Sequence, residues 1–302
     1  VDGDTAVEAL RVATPAPSAA EFAVSQLAYD VPARSWSAPF PDLDSPRTLV
    51  LGFGASSLFD SAEVFAELTR AYPRSVVIGC STAGEIHGNT VRDQSLAVTV
   101  TRFAATDLQM VAFAVKSTAD SRSAGARLAQ RLAARPGLRG VLVLSEGVNV
   151  NGSELVTGIN SVLPAEVVVS GGLSGDGANF KRTWVAIGDK VRSNVVAAVG
   201  FYGDRVVLGH GSKGGWDKFG PERRVTKSVS NVLHELDGRP ALTLYKEYLG
   251  DKAKDLPAAG LLFPLALRAG ADADKVVVRT LLAVDHQRNT LTLAGDLSLI
   301  HI

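Results

Sequence analysis

A turn near the start of the predicted sheet has glycines at a spacing similar to that of dinucleotide-binding turns. Gly52-Phe53-Gly54-Ala55-Ser56-Ser57 follows a strand-like run and precedes a helix, but Ser57 stands where the dinucleotide fingerprint requires Gly or Ala. The acidic residue expected about 20 residues further on is missing, because Gly79-Cys80 ends the second strand. The pattern therefore predicts a tight strand-to-helix turn without a nucleotide.

Two nucleophilic side chains could support acyl transfer. Ser174 lies in Gly172-Leu173-Ser174-Gly175-Asp176, which is similar to a nucleophile elbow but has Asp in place of the last Gly. A catalytic Ser also needs a His base, and nothing in the sequence places His210 or His234 beside it. Cys80 would need a nearby cation or helix N-terminus to become a thiolate. A serine or cysteine hydrolase is an alternative, and the main prediction is that the chain is not an enzyme.

Histidine offers one route to a cofactor. None of the five histidines is spaced with another as a metal-binding pair, so no protein metal site is predicted. A single His can hold haem iron from one side. His210, at the predicted end of a strand beside a glycine-rich segment, is the candidate ligand if haem is bound.

Two turns of small residues are the predicted ligand site. The first turn contributes Cys80, Ser81, Thr82 and Gly84; the second contributes Gly172, Ser174, Asp176, Asn179 and Phe180. Glycine lets a ligand approach the backbone closely, and free N–H groups in such turns bind anions. With His210, these residues are expected to surround a small polar ligand in a cleft that both turns share.

Composition limits the class of partner. The 302 residues include 31 Lys plus Arg and 31 Asp plus Glu, so no net positive charge favours nucleic acid. Cys80 is the only cysteine, which excludes a disulfide within the chain. No apolar run approaches the roughly 18–20 residues of a membrane helix, and the N-terminus does not resemble a signal peptide. A cytoplasmic protein without membrane insertion is predicted.

The order of elements predicts an α/β fold with an internal duplication. A buried strand, a helix, a second buried strand, a glycine turn and a strand pair occur twice, with Leu49 matching Val141, Val76 matching Val167, and Leu96 matching Val195. The predicted strand pairs are Ser95–Phe103 with Leu108–Val115 and Val195–Tyr202 with Arg205–His210.

Other local patterns predict how the chain is divided. Proline-rich residues 1–45 are expected to form a lead-in segment with a short helix at Ala19–Tyr29, and Asp60 is expected to cap the first helix of the repeat. Residues 46–212 would form the duplicated mixed-sheet unit, and residues 213–302 a second, smaller α/β domain. The chain stops directly after a predicted strand, so truncation of the smaller domain is one interpretation.

Several separated motifs resemble the FIST sensory-domain family. Ile78-Gly79-Cys80-Ser81-Thr82-Ala83-Gly84-Glu85-Ile86 and Gly171–Gly177 are similar to its N-terminal half. The motifs that are similar to its C-terminal half are Gly214-Gly215-Trp216, Val225-Thr226, Glu235-Leu236-Asp237-Gly238, Pro240-Ala241, Tyr245, Leu249-Gly250, Phe263-Pro264-Leu265 and Val278-Arg279. The resemblance covers residues 46–296.

The resemblance implies an intracellular input domain of signal transduction. Such domains occur alone or beside histidine kinases, diguanylate cyclases and chemotaxis components, so a protein of one of these kinds is the expected partner. The implied ligand is a small molecule such as an amino acid, and a haem-based nitric-oxide sensor is an alternative. No haem-ligating His of the family is matched residue by residue here.

Overall fold

A computed structural model describes residues 22–61, 63–177, 179–211, 217, 219–268, 276–295 and 297. Three predicted features lie outside these residues: the lead-in before residue 22, the Gly214-Gly215-Trp216 motif and the C-terminal end.

The first repeat begins earlier in the chain than the sequence predicted. Its elements are β1 (Phe22–Asp30), β2 (Ser35–Trp36), β3 (Thr48–Ala55), a 3-10 helix (Ser56–Asp60), α1 (Glu63–Ala71), β4 (Val76–Thr82), β5 (Glu85–His87), β6 (Thr90–Arg92) and β7 (Ser95–Phe103).

The second repeat follows directly. Its elements are β8 (Asp107–Ala114), a 3-10 helix (Thr118–Asp120), α2 (Ser121–Ala133), β9 (Leu138–Ser145), α3 (Gly152–Asn160), β10 (Val168–Leu173), β11 (Val185–Ile187), β12 (Lys190–Arg192) and β13 (Val195–Tyr202).

A smaller group of elements completes the described chain. These are β14 (Val225–Val229), β15 (Val232–Leu236), β16 (Arg239–Pro240), α4 (Ala241–Leu249), 3-10 helices at Gly250–Asp255 and Ala258–Leu261, β17 (Leu265–Arg268), β18 (Val276–Arg279), β19 (Leu281–Asp285) and β20 (Thr290–Leu293). Strands β14, β15, β20 and β19 form one sheet with β16 beside β15, and β17 pairs with β18. The apolar face of α4, including Leu242 and Tyr245, packs with Leu291 and Leu293 of that sheet.

The two large sheets show the duplication directly. One sheet has the order β12-β11-β4-β3-β7-β1-β2, and the other has the order β10-β9-β13-β8. Each sheet contains one parallel pair, which is β3 with β4 in the first sheet and β9 with β10 in the second. The next strand in each sheet, β7 or β13, runs antiparallel to that pair. The mixed, duplicated α/β architecture predicted from the sequence is confirmed.

Strand registers define which residues are equivalent in the two repeats. Gly54 lies opposite Leu96 and Ser145 lies opposite Val196, so Gly54 and Ser145 are equivalent. Following the parallel pairs two residues back, Gly79 lies opposite Gly52 and Gly171 lies opposite Val143. Gly79 is therefore equivalent to Gly171, and Cys80 is equivalent to Gly172. The matches predicted from the sequence were each wrong by one residue, because the same registers pair Leu49 with Gly140, Val76 with Val168 and Leu96 with Val196 as equivalents.

The two sheets pack face to face between outer helices. Leu49 and Ile78 of the first sheet meet Leu144 and Val199 of the second in a shared apolar layer. Phe65 of α1 covers the outer face of the first sheet. On the outer face of the second sheet, helices α2 and α3 bury side chains of a further cluster, namely Ala124, Leu128, Leu155 and Ile159. The result is a helix–sheet–sheet–helix sandwich.

The helix predicted at Ala19–Tyr29 is wrong over its described part. Phe22–Asp30 is a strand that pairs antiparallel with β7, from Phe22 opposite Phe103 to Asp30 opposite Ser95. Exposed and partly buried side chains alternate along its first half, which is the period of a strand. β1 occupies the place in the first sheet that β8 occupies in the second, so β8 opens the second repeat.

The predicted pairing of Ser95–Phe103 with Leu108–Val115 is also wrong. β7 pairs with β1 and β3, whereas β8 pairs with β13 in the other sheet. The two strands are close in sequence but separated by the layer between the sheets, and local alternation carries no information about the partner strand.

Three smaller predictions need correction. Residues 205–210 are not a strand; Val206 and Leu208 instead pack onto the apolar layer between the sheets. Gly171-Gly172-Leu173 belongs to β10, so the second turn begins only at Ser174. Asp60 pairs with Arg182 of the second repeat, where a cap of α1 was expected. The proposed segment boundaries at 45 and 212 stay predictions.

Candidate functional site

The two small-residue turns lie against each other, but they bond directly and leave no cleft between them. The N–H of Gly175 donates to the carbonyl oxygen of Ser81 over 2.9 Å, and the N–H of Ser174 donates to the carbonyl of Ser145 over 2.7 Å. Ser81 and Ser174 are both buried. Backbone groups that bond to one another are not free for a ligand. The predicted cleft between the turns is therefore a packed junction.

Trp184 locks this junction to the first repeat. Its N–H donates to Ser81 Oγ over 3.0 Å, and its carbonyl accepts from the N–H of Ser81 over 3.0 Å. The indole N–H reaches the carbonyl of Ala55 over 3.2 Å, and the ring packs edge-on against Phe65. Ser81 thus anchors a buried aromatic side chain. The sequence analysis did not single out Trp184, although its position just before a repeated strand was the available signal.

The contacts of Ser174 are structural. Its hydroxyl donates to the carbonyl of Ser145 over 2.7 Å and lies 3.1 Å from the carbonyl of Trp184. A nucleophilic serine instead gives its proton to a base. His210 contacts a different serine, with its Nδ1 lying 3.2 Å from Ser170 Oγ. The geometry does not form the hydrolase constellation.

Cys80 is a buried core residue of β4. It packs in the layer between the sheets, and burial raises the pKa of its thiol to about 11, while a hydrogen bond with the Ser174 hydroxyl acts in the opposite direction. The thiol is therefore neutral near pH 7, and a neutral thiol is a weak nucleophile.

Asp176 organises the second turn from within. Its buried carboxylate accepts from the N–H groups of Phe180, Lys181 and Arg182 over 3.0, 2.8 and 3.0 Å. The side-chain amide of Asn179 donates to the carbonyl of Asp176 over 2.8 Å. Phe180 has a positive φ of 51°. The lone pairs of Asp176 are used by its own loop, so this carboxylate stabilises the turn from within, where a ligand contact was predicted.

Two further buried carboxylates were missed by the sequence analysis. Glu85 accepts from Thr82 Oγ1 and from Ser95 Oγ, each over 2.8 Å, and burial raises the pKa of its carboxyl. Gly84, which precedes it, has a φ of +156° and forms the turn into β5. Glu146 accepts from Thr183 Oγ1 and from the N–H groups of Val148 and Asn149. These acids fix the starts of the segments that follow β4 and β9.

A cavity of about 700 Å³ lies elsewhere, between α3 and the edge of β10 that faces away from β9. No strand of the described residues pairs with this edge, which we call the free edge of β10. Its lining comes from α3, the loop that follows it, β10, one residue of β9 and His210. The lining residues are Val143, Gly152, Leu155, Val156, Ile159, Asn160, Leu163, Pro164, Ala165, Val167, Val169, Ser170, Gly171, Gly172, Leu173 and His210. Of the predicted ligand residues, Gly172 and His210 line this cavity; the other eight are absent from its wall.

The cavity combines an apolar wall with a polar rim. Leu155, Ile159 and Val169 give it apolar side chains, while Ser170 and His210 form a hydrogen-bonding pair at the edge. Backbone groups of β10 add to the rim. Because the N–H of Ser174 points toward β9, strand alternation places the N–H groups of Gly171 and Leu173 on the opposite, free edge. Such a concave site with few polar groups is the usual form of a small-molecule pocket.

Close helix packing sets the wall of the cavity. A Cβ on Gly125 of α2 would overlap the carbonyl of Leu155, and one on Gly158 of α3 would overlap the carbonyl of Arg122. The two glycines therefore let the helix backbones approach closely. Asn151 caps α3 by accepting from the N–H groups of Ser153 and Glu154.

The described residues contain neither a cluster of metal ligands nor a helix that could span a membrane. Within them, no group of three or more His, Cys, Asp or Glu side chains is arranged to hold a metal ion. The helices in the same part of the chain are also too short or too polar for any of them to cross a membrane.

Fold and cavity together define a duplicated α/β domain with an open, largely apolar recess beside α3. Comparison with protein families then identifies it: the FIST N domain model matches residues 48–239, and the FIST C domain model matches residues 241–298. The chain belongs to the FIST family, whose domains are non-catalytic sensory domains associated with signalling proteins. No curated protein matches the chain.

Proposed function

We propose that this protein is a sensory domain that binds a small ligand in the cavity between α3 and β10 and reports its presence to a signalling protein. The observation that carries the proposal is the cavity itself, which has apolar side chains on one side and, on the other, strand backbone that no other described strand pairs with. The buried turns around Ser81 and Ser174 support the fold that holds this wall.

The chemistry of the wall favours an amino acid with an apolar side chain. The side chain would pack against Leu155 and Ile159, where each buried methylene contributes about 0.8 kcal/mol. The carboxylate would accept from the N–H groups at the free edge of β10, and Ser170 with His210 would provide further polar contacts. An amino acid of this kind would contact both the apolar wall and the polar rim of the cavity.

Signalling requires that the ligand distinguish two states of the protein, because a ligand shifts an equilibrium only by its differential affinity. The proposed partner is a histidine kinase, a diguanylate cyclase or a chemotaxis-type protein, as expected of a cytoplasmic input domain. Helix α3 and β10 are the elements that would respond first, since they form the two sides of the cavity.

A thermal-shift screen with the twenty amino acids and small organic acids tests the proposal. A ligand at about 100 times its Kd adds about 2.7 kcal/mol to stability, which raises Tm by several degrees in a domain of this size. Val156→Trp places a large ring on the half-exposed cavity wall and should remove the shift. The matched control, Val229→Trp on exposed β14, should keep it. A shift that survives in Val156→Trp would contradict binding in this cavity.

The second candidate is a haem-based gas sensor, and the observation in its favour is that His210 lines the cavity. The fit is incomplete, because the described lining residues include no Lys or Arg to pair with the haem propionates. A Soret band that disappears in His210→Ala would support this candidate. Colourless protein after incubation with haem would end it.

A further inference from the structure

The two repeats each contain a short hairpin of the same construction. β5–β6 turns at Gly88 and β11–β12 turns at Gly188, with φ angles of 60° and 59°. Each turn is followed by Val-Arg, in Val91-Arg92 and Val191-Arg192. In the second repeat, β11 crosses to the first sheet and pairs antiparallel with β4, so that Ala186 lies opposite Gly79. The chain therefore contains one complete example of this hairpin docked on a strand edge.

The β5–β6 hairpin of the first repeat is not docked on any strand edge of the described residues. Ile86 and Val91 face each other across it and are 71% and 73% exposed. Their equivalents, Ala186 and Val191, pack in the core beneath α1. Two neighbouring exposed apolar side chains on a short hairpin are typical of a contact surface.

The edge of β10, which is equivalent to the β4 edge that binds β11, is also exposed. β10 is the equivalent of β4, and in the described part of the chain it pairs with β9 alone. Gly171, Gly172 and Leu173 are exposed along this edge, where the N–H groups of Gly171 and Leu173 point outward. An exposed edge of this kind accepts an added strand.

Chain length explains why the first hairpin does not cover β10 of its own molecule. Only Ala83 and Gly84 separate β4 from β5, which span about 7 Å at most. Glu85 also holds the base of the hairpin to Ser95. By contrast, eleven residues, 174–184, connect β10 to β11 and allow the crossing.

We propose that the β5–β6 hairpin of a second copy of this chain docks antiparallel on the β10 edge, and that the two copies exchange hairpins in this way. The register follows from the repeat, because Ala186 opposite Gly79 places Ile86 opposite Gly171. Ala186 and Val191 face the helix side of their sheet, so Ile86 and Val91 would face α3 and lie over the cavity. The reciprocal exchange gives a closed dimer with twofold symmetry.

The dimer does not depend on the ligand proposed above. The docked hairpin and the ligand would compete, because both use the outward N–H groups of Gly171 and Leu173 and because Ile86 and Val91 would lie over the mouth of the cavity. Association measured without added amino acids therefore tests the dimer alone, and the thermal-shift screen repeated on Ile86→Lys tests the ligand alone.

Sedimentation velocity of the full chain, without ligand, from low to high micromolar concentration tests the proposal. Wild type should form a dimer, and Ile86→Lys should shift the equilibrium toward monomer by at least tenfold in Kd. Val229→Lys, which places the same charge on exposed β14, should leave the dimer unchanged. A wild type that stays monomeric, or a dimer that Ile86→Lys does not weaken, overturns the proposal.

A disulfide test fixes the register independently. In the proposed pairing His87 lies opposite Ser170, as Ile187 lies opposite Ile78. This is a pair without mutual backbone hydrogen bonds, where Cα atoms lie about 4.5 Å apart and a disulfide fits. The double variant His87→Cys with Ser170→Cys should give a covalent dimer on oxidation, while His87→Cys with Val168→Cys should give much less. Equal yields from the two variants would contradict the register.

Discussion

Val185 lies opposite Cys80 in an antiparallel strand pair, and this pair joins the second repeat to the sheet of the first. The neighbouring Trp184 is buried beneath α1, and Ser81 bonds to its backbone on both sides. The small-residue turn after β4, which the sequence suggested as a binding surface, is therefore a structural joint. The ligand contacts that we propose lie instead at the β10 edge of the second sheet.

Replacing Trp184 should test the strength of this joint. Trp184→Ala removes a fully buried ring and should cost about 3–5 kcal/mol in the free energy of unfolding, measured with urea. Trp184→Phe keeps most of the apolar volume but loses the indole bond to Ala55, so a smaller loss is expected. Equal losses in the two variants would contradict the cavity argument.

Asp176→Asn should destabilise the second turn. The variant keeps one acceptor oxygen and turns an amide group toward backbone N–H donors that now reach the carboxylate. Leaving buried donors unpaired costs about 1–3 kcal/mol. Asp189→Asn, at an exposed position beside Lys190, should change stability by no more than about 0.5 kcal/mol. Comparable urea midpoints for the two variants would show that Asp176 does not hold the loop.

Gly158→Ala should separate the backbone of α3 from that of α2. Alanine is favoured over glycine in a helix by about 1 kcal/mol, so without a clash the change would stabilise the protein. The new Cβ would overlap the carbonyl of Arg122, and a net loss of stability is expected instead. Gly152→Ala, whose Cβ would meet only the flexible side chain of Leu173, is the matched control. A higher Tm in Gly158→Ala would mean that the helices are not in close contact.

The buried thiol predicts a specific pH dependence. The folded pKa of Cys80, about 11, lies above the ordinary value of 9.0, so the folded state favours the neutral thiol. The stability from this group is present below pH 9 and is lost as the pH rises toward 11. Cys80→Ala cannot ionise, so the stability of wild type relative to this variant should fall across that interval. A constant difference in unfolding free energy would contradict the burial of the thiol.

The sequence predicted the local elements better than their partners. Runs such as Leu49–Phe53 and Val141–Leu144 are apolar at consecutive positions because both faces of their strands are covered, and this signal is local. The partners of β7 and β8 depend on which sheet each strand joins, which no local pattern contains. The helix predicted at Ala19–Tyr29 overlaps β1, whose partner β7 lies far along the chain, so no local pattern contained that pairing.

The site was harder to predict for a related reason. Small polar residues and glycines are used both for ligand contact and for close packing, and Ser81, Ser174 and Asp176 serve the second purpose here. The cavity depends on the free edge of β10 and on the apolar side chains of α3, which look like ordinary core positions in the sequence. Only Gly172 and His210 were common to the predicted site and the cavity wall.

Hydrogen–deuterium exchange, measured by mass spectrometry on dilute, monomeric protein with and without a millimolar mixture of the twenty amino acids, tests the central claim most directly. Binding in the cavity should slow exchange in α3 and along the free edge of β10, residues 152–160 and 168–173, because the ligand bonds to N–H groups at that edge. Val156→Trp should lose this protection and Val229→Trp should keep it. Unchanged exchange in both segments, or protection confined to the turn at residues 81–84, would contradict the account.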